Sequence, residues 1–83
     1  MDVKAIVKQY IVMEIMHQPE ESVLDDEASL IEGGIIDSMS LFELIIFLEE
    51  KFGITINEEE VDIENFQTVQ ALVNFINKKM HLS

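Results

Sequence analysis

The chain is organised around the stretch Gly33-Gly34-Ile35-Ile36-Asp37-Ser38-Met39-Ser40-Leu41, which joins an acidic segment to the most apolar helical pattern of the sequence. The glycine pair gives the backbone freedom, and the two isoleucines can anchor the stretch to an apolar core. Asp and Ser commonly begin helices, and Ser40 with Glu43 fits a capping box. The stretch therefore predicts a helix that begins at about Ser38, and any chemistry is expected at that serine.

The predicted second helix carries two apolar stripes. It runs from about Ser38 to Phe52 and ends at Gly53, a residue suited to the position after a helix. The core stripe is Leu41, Leu44, Ile45, Leu48 and Phe52. The second stripe, rotated away from the first and flanked by Glu43, Glu49 and Glu50, is Met39, Phe42 and Ile46. Either the preceding loop covers the second stripe, or this stripe is an exposed patch for a partner.

The first helix is predicted from about Val3 to Met16, with Asp2 as its N-cap. Its inward face follows helical spacing: Val3, Ile6, Val7, Tyr10 and Met13, widened by Ile11, Val12 and Ile15. Pro19 is expected to stop this helix, because a proline disfavours the helical conformation of the residue before it.

A long acidic loop is predicted over residues 18–34. Two apolar pairs, Val23-Leu24 and Leu30-Ile31, should pin this loop to the body of the domain. Some of its acids alternate as calcium ligands do, but Leu30 stands where an EF-hand loop needs glycine, so we predict no calcium site.

The residue pattern in the last third of the chain predicts two helices. Residues 54–56 alternate as a strand does, but no second strand is available for pairing, and we expect an extended loop. A capping box over residues 57–60 would open one helix, whereas Asp62 would cap a shorter one; we prefer a short third helix near Asp62 to Phe66. The last helix is predicted from its N-cap Thr68 to about Lys79, with the inward face Val69, Leu72, Val73, Ile76 and Met80.

Composition limits the classes of function. Eighty-three residues suit one domain, over residues 1–83. Seventeen acids against five bases give a net charge of −12, which opposes binding to nucleic acid or anionic membrane and favours partners with basic surfaces. There is no cysteine, and His17 and His81 are too far apart to suggest a zinc site. Since neither a signal peptide nor a membrane-spanning run fits the sequence, we expect a cytoplasmic monomer without membrane insertion.

Ser38 does not have the surroundings of a catalytic nucleophile. Such a serine needs an activating base and an oxyanion hole, and the chain has neither a G-x-S-x-G turn nor a recognisable Ser-His-Asp pattern. A helix start instead favours an anion attached to the hydroxyl. Ordinary helix capping by Asp37 and Ser38 remains the alternative at this point.

The stretch Gly34-Ile35-Ile36-Asp37-Ser38-Met39 resembles the Asp-Ser-Leu signature of acyl and peptidyl carrier proteins, in which the serine receives 4′-phosphopantetheine. Residues 44–54 resemble the second helix of that family and its exit, and residues 65–69 resemble its approach to the last helix. The resemblance covers essentially the whole chain. It implies an all-α, four-helix bundle of acyl-carrier type, with a long loop between helices one and two and a short third helix.

The resemblance also implies a carrier that catalyses nothing itself. A phosphopantetheinyl transferase, using coenzyme A and magnesium, would attach the arm at Ser38, next to Asp37, and the thiol of the arm would hold an acyl or aminoacyl group as a thioester. The implied partners are an acyl or aminoacyl ligase and downstream acyl-transfer enzymes with basic surfaces. The implied partner-binding residues of the second helix are Met39, Phe42, Glu43, Ile46, Glu49 and Glu50.

Three positions depart from the fatty-acid carriers of this family. Met39 replaces the usual leucine, and Ser40 stands where an acid is common. Phe47 occupies a position that is often small, where it would fill space that a long acyl chain uses. These departures favour a specialised free-standing carrier, of the kind that includes the D-alanyl carrier group. The alternative is an unmodified acidic helical module that uses the carrier fold only to bind proteins.

Overall fold

The computed structural model describes residues 2–17 and 24–81, and within these residues all regular structure is helical. In chain order the elements are α1 (Val3–Tyr10), a π-helical turn (Ile11–Ile15), α2 (Ser38–Phe52), a 3-10 turn (Glu58–Glu60), α3 (Ile63–Phe66) and α4 (Val69–His81). The predicted all-α fold with four helices, a long first connection and a short third helix is confirmed. No helix in the described part is long and apolar enough to cross a membrane.

The first helix begins where the sequence predicts but changes its winding. The Asp2 carboxylate accepts a hydrogen bond from the Ala5 amide at 3.2 Å, so Asp2 is the N-cap. Beyond Tyr10 the helix continues as the π-helical turn, and the Met16 amide bonds the Ile11 carbonyl at 2.8 Å. Met13 is 44% exposed, so its predicted place on the inward face is wrong, because the wider turn alters the angle between successive side chains.

Asp26 ties the first connection to both α1 and α4. Its carboxylate pairs with Lys4 at 2.9 Å and with Lys8 at 3.0 Å, and its carbonyl accepts a bond from the Gln70 amide at 3.1 Å. The apolar anchors of the described connection are buried: Leu24, Leu30 and Ile36. The expected anchoring by Leu24 and Leu30 is therefore confirmed, whereas Pro19 and Val23 lie outside the described residues.

The core contains side chains from every helix. Among the fully buried ones are Val7 and Ile11, Leu44 and Leu48, Phe66, Leu72 and Ile76. Helix α4 packs against both α1 and α3, and all buried side chains of the described chain are apolar. Close packing of these apolar side chains is the main source of stability for so short a chain.

Both of the N-caps that the sequence suggests after α2 are present in the structure. Asn57 and Glu60 make a reciprocal capping box around the 3-10 turn, in which the Asn57 amide bonds Glu60 Oε1 at 2.9 Å. Asp62 then caps α3 by accepting a bond from the Asn65 amide at 2.9 Å. The two alternatives are thus consecutive turns, and the preferred short third helix is confirmed.

The last helix is capped as predicted and extends further than predicted. Thr68 Oγ1 accepts a bond from the Ala71 amide at 3.0 Å. Helix α4 reaches His81, so the predicted end at Lys79 is two residues early. Met80, assigned to the inward face, is exposed, because the last turn of a helix has fewer neighbours to cover it.

Candidate functional site

Asp37 is the N-cap of α2. The Ser40 amide donates to Asp37 Oδ1 at 2.8 Å, which satisfies one of the amides that the start of a helix leaves without a partner. This bond holds the pKa of the Asp37 carboxyl below its ordinary value. The capping box considered for Ser40 and Glu43 does not form, because Ser40 is already the third residue of the helix.

Ser38 is the first residue of α2, and it is exposed. The stretch before it is held firmly, since Ile36 is buried and its amide bonds the Leu30 carbonyl at 2.8 Å. Gly34 takes a positive φ of 78°, the conformation that the turn into this stretch requires and that glycine adopts most readily. The fold therefore presents the Ser38 hydroxyl at a fixed helix start, where the helix dipole favours an attached anion.

The second stripe of α2 is exposed. The exposed fractions are 76% for Met39, 66% for Phe42 and 42% for Ile46. The described part of the preceding connection packs elsewhere, against α1 and the start of α4. The second stripe is therefore not covered by the described part of the loop before α2. It forms an exposed apolar face beside Ser38, which is the second of the two possibilities considered from the sequence.

The three acids that flank the second stripe differ in their contacts. Glu43 and Glu50 are exposed. Glu49 is half-buried, and its Oε2 accepts a hydrogen bond from the Ile56 amide at 2.9 Å, which fastens the segment after α2. This contact could not be predicted from the sequence, because a separation of seven residues across a helix end has no characteristic spacing.

Phe47 is a contact between α1 and α2. Its ring stacks on Tyr10, with the centroids 4.0 Å apart and the planes 9° apart. Phe47 follows Ser38 by nine residues, about two and a half turns at 3.6 residues per turn, so the two side chains lie on opposite sides of α2. The expectation that Phe47 takes up space for a long acyl chain stays a prediction, and the space that its ring occupies lies beside α1.

Comparison with known proteins identifies the family. The family model described as the phosphopantetheine attachment site matches residues 9–76. The D-alanyl carrier protein of Streptococcus suis is 31% identical over 81 residues, which are 98% of this chain and 99% of the relative. The acyl carrier protein of Thermosynechococcus vestitus is 42% identical over 74 residues, 89% of this chain and 86% of the relative. A probable acyl carrier protein of Serratia, PigG, is 34% identical over 59 residues, 71% of this chain and 68% of the relative.

Two solved structures are similar to this chain, and one of them is an acyl carrier protein. The crystal structure of an acyl carrier protein from Thermotoga maritima superposes with a TM-score of 0.70 and 26% identity, over 94% of this chain and 86% of that one. A chain in a crystal structure of an FAD-dependent dehydrogenase gives a TM-score of 0.75 and 30% identity, over 84% of this chain and 97% of that one. The chain therefore belongs to the phosphopantetheine-attachment family of acyl and peptidyl carrier proteins, and it is a carrier that works through covalently bound 4′-phosphopantetheine.

Proposed function

We propose that Ser38 is the residue that receives 4′-phosphopantetheine from coenzyme A in a reaction catalysed by a phosphopantetheinyl transferase. The Ser38 hydroxyl loses its proton and forms a phosphodiester with the phosphate that carries the pantetheine, while the pyrophosphate bond of coenzyme A breaks and adenosine 3′,5′-bisphosphate leaves. The observation that carries this proposal is the exposed Ser38 hydroxyl at the first position of α2, directly after the capping Asp37. The positive end of the α2 dipole favours the negative charge of the phosphodiester that would form there. Once attached, the arm supplies a thiol that holds the cargo as a thioester.

Intact-mass measurement tests this assignment. The protein is incubated with coenzyme A and a broad-specificity phosphopantetheinyl transferase, together with the variants Ser38→Ala and Ser40→Ala. The wild type and Ser40→Ala are expected to gain one phosphopantetheine, and Ser38→Ala is expected to gain none. A gain that survives in Ser38→Ala would show that the arm is attached elsewhere, and no gain in any sample would favour the unmodified interaction module.

The second stripe is the proposed recognition surface for the transferase, the ligase and the acyl-transfer enzymes. Met39, Phe42 and Ile46 form its apolar part. Glu43 and Glu50 place exposed carboxylates at its edge, and these negative charges suit partners with basic surfaces. Glu49 is the third acid of this surface, and its carboxylate is less accessible to a partner because the residue is half-buried and one carboxylate oxygen already accepts a hydrogen bond from the backbone.

Loading rates test this surface. Glu43→Lys should slow the modification of Ser38, because a charge that attracts basic partners becomes one that repels them. The matched control is Glu58→Lys, which reverses an exposed acid on the 3-10 turn. Equal slowing by the two variants would mean that only net charge matters and that the helix α2 surface is not specific.

For the cargo, we propose an aminoacyl or short acyl group in a specialised cytoplasmic pathway. Relatives named as a D-alanyl carrier protein and as the probable acyl carrier protein PigG support this choice. We further propose that residues 1–83 form one carrier domain that acts as a monomer. The test is to load the protein with short and long acyl groups and to measure how well each thioester is protected from hydrolysis. Protection of long chains as good as that given by fatty-acid carriers would overturn the cargo proposal.

A further inference from the structure

A groove lies between the first helix and α2, and no residue of the second stripe lines it. It has a volume of about 470 Å³, and its floor is the stacked pair of Tyr10 and Phe47. Ile6 and Met13 add apolar surface, and Glu14 and Lys51 lie on its rim. None of the residues proposed above for partner binding lines this groove.

The π-helical turn shapes the groove. It buries Ile11 and Val12 while leaving Met13 and Glu14 exposed. Interruptions of this kind are frequent at functional sites, and a methionine adapts its shape to different apolar partners. The change of winding thus places a flexible apolar side chain and a carboxylate together beside the aromatic floor.

The charge around the aromatic floor is mainly negative. Burial raises the pKa of Tyr10, and the negative charges of Glu43 and Glu14 raise it further. Lys51 is the cation of the lining. With a net charge of −12 on the chain, the complement of this region is a basic surface.

We infer that the groove docks an amphipathic, basic helix of a partner enzyme, with an apolar side chain over the Tyr10–Phe47 pair and Lys or Arg facing Glu14. A second copy of this chain fits poorly, because it would bring like charges together. The groove also lies on the side of α2 opposite to Ser38, the proposed attachment site of the arm. The groove thus gives the carrier a second docking surface, lined by residues other than those of the second stripe, and the charge of Glu43 acts on both.

The probe for this surface is a synthetic helical peptide with leucines on one face and lysines beside them, and the unmodified chain is used so that the result does not depend on Ser38. Backbone amide shifts and the dissociation constant are measured for the wild type, Met13→Ser and Glu14→Lys. Met39→Ser and Glu50→Lys are the matched controls on α2, and a glutamate version of the peptide is the charge control.

The largest shifts are expected at Tyr10, Met13 and Phe47. Each groove variant should weaken binding by about threefold to tenfold, and each control variant by less than about twofold. Three results would overturn the inference: no binding, shifts confined to the second stripe, or equal binding of the glutamate peptide. Self-association in sedimentation that the groove variants abolish would assign the groove to a second copy instead, and would also overturn it.

Discussion

Asp37 Oδ1 lies 2.8 Å from the Ser40 amide nitrogen, so the residue before the proposed attachment site is the one that caps α2. Capping and charge can be separated here, because asparagine caps a helix about as well as aspartate does. Asp37→Ala should lower the melting temperature by several degrees, and Asp37→Asn should leave it nearly unchanged.

The rate of modification at Ser38 should depend on the charge of residue 37, whereas the melting temperature depends on whether that residue caps the helix. Asp37→Asn keeps the cap but removes a negative charge beside the serine, so a basic transferase should modify it several times more slowly at low salt. Because salt screens exposed charges, the difference should shrink as salt is added. An asparagine variant that is as unstable as the alanine variant would contradict the capping role of the side chain.

Gly53 ends α2 with a φ of 65°, in the left-handed region, and its amide bonds the Glu49 carbonyl at 3.0 Å. Gly53→Ala should cost about 1–2 kcal/mol of unfolding free energy, because a β-carbon is strained in this conformation. Gly53→Asn should cost less, since asparagine adopts this region more readily. Denaturant titration measures both, and an alanine variant as stable as the wild type would contradict the account.

The Tyr10–Phe47 stack should contribute to stability as a pair. A double-mutant cycle with Tyr10→Ala and Phe47→Ala is expected to give a coupling of about 0.5–1.5 kcal/mol in unfolding free energy. The control cycle pairs Tyr10→Ala with Phe42→Ala, whose ring lies on the exposed stripe. That cycle should be additive to within about 0.5 kcal/mol, and coupling as large as that of the stacked pair would contradict a specific contact.

The limits of α2 could be predicted because its caps are local. Asp37 and Gly53 act on amides and carbonyls within a few residues, and their types alone indicate where a helix begins and ends. The π-helical turn at Ile11–Ile15 could not be predicted in this way. Its residues follow an ordinary helical pattern, which contains no signal for the wider turn.

In the candidate site, too, the local features could be predicted from the sequence and the features that depend on long-range packing could not. The position of Ser38 at a helix start follows from the neighbouring sequence, but exposure of the second stripe depends on where the first connection packs. Asp26 holds the described part of the connection against α1 through ion pairs with Lys4 and Lys8, which lie 22 and 18 residues earlier in the chain. It also holds the connection against α4, because its carbonyl accepts a backbone hydrogen bond from Gln70. Such long-range pairs have no signal in one sequence.

Stability should pass through a maximum at mildly acidic pH. The pKa values of Asp26, Asp37 and Glu60 are lowered, chiefly by the hydrogen bond from Lys4, the Ser40 amide and Lys79, respectively. A carboxyl with a depressed pKa in the folded state stabilises the fold above its unfolded value and loses that contribution as pH falls through the folded value. These contributions should therefore be lost below about pH 4.

Repulsion among the surface carboxylates acts in the opposite direction. A net charge of −12 weakens the fold at neutral pH, and partial protonation between about pH 7 and 5 relieves this repulsion before the three paired carboxyls titrate. The melting temperature should rise over that interval and fall below about pH 4. Added salt should raise it at pH 7 and raise it less at pH 5, where fewer charges remain to be screened. A melting temperature that falls steadily from pH 7, or that does not respond to salt, would contradict self-repulsion as the controlling effect.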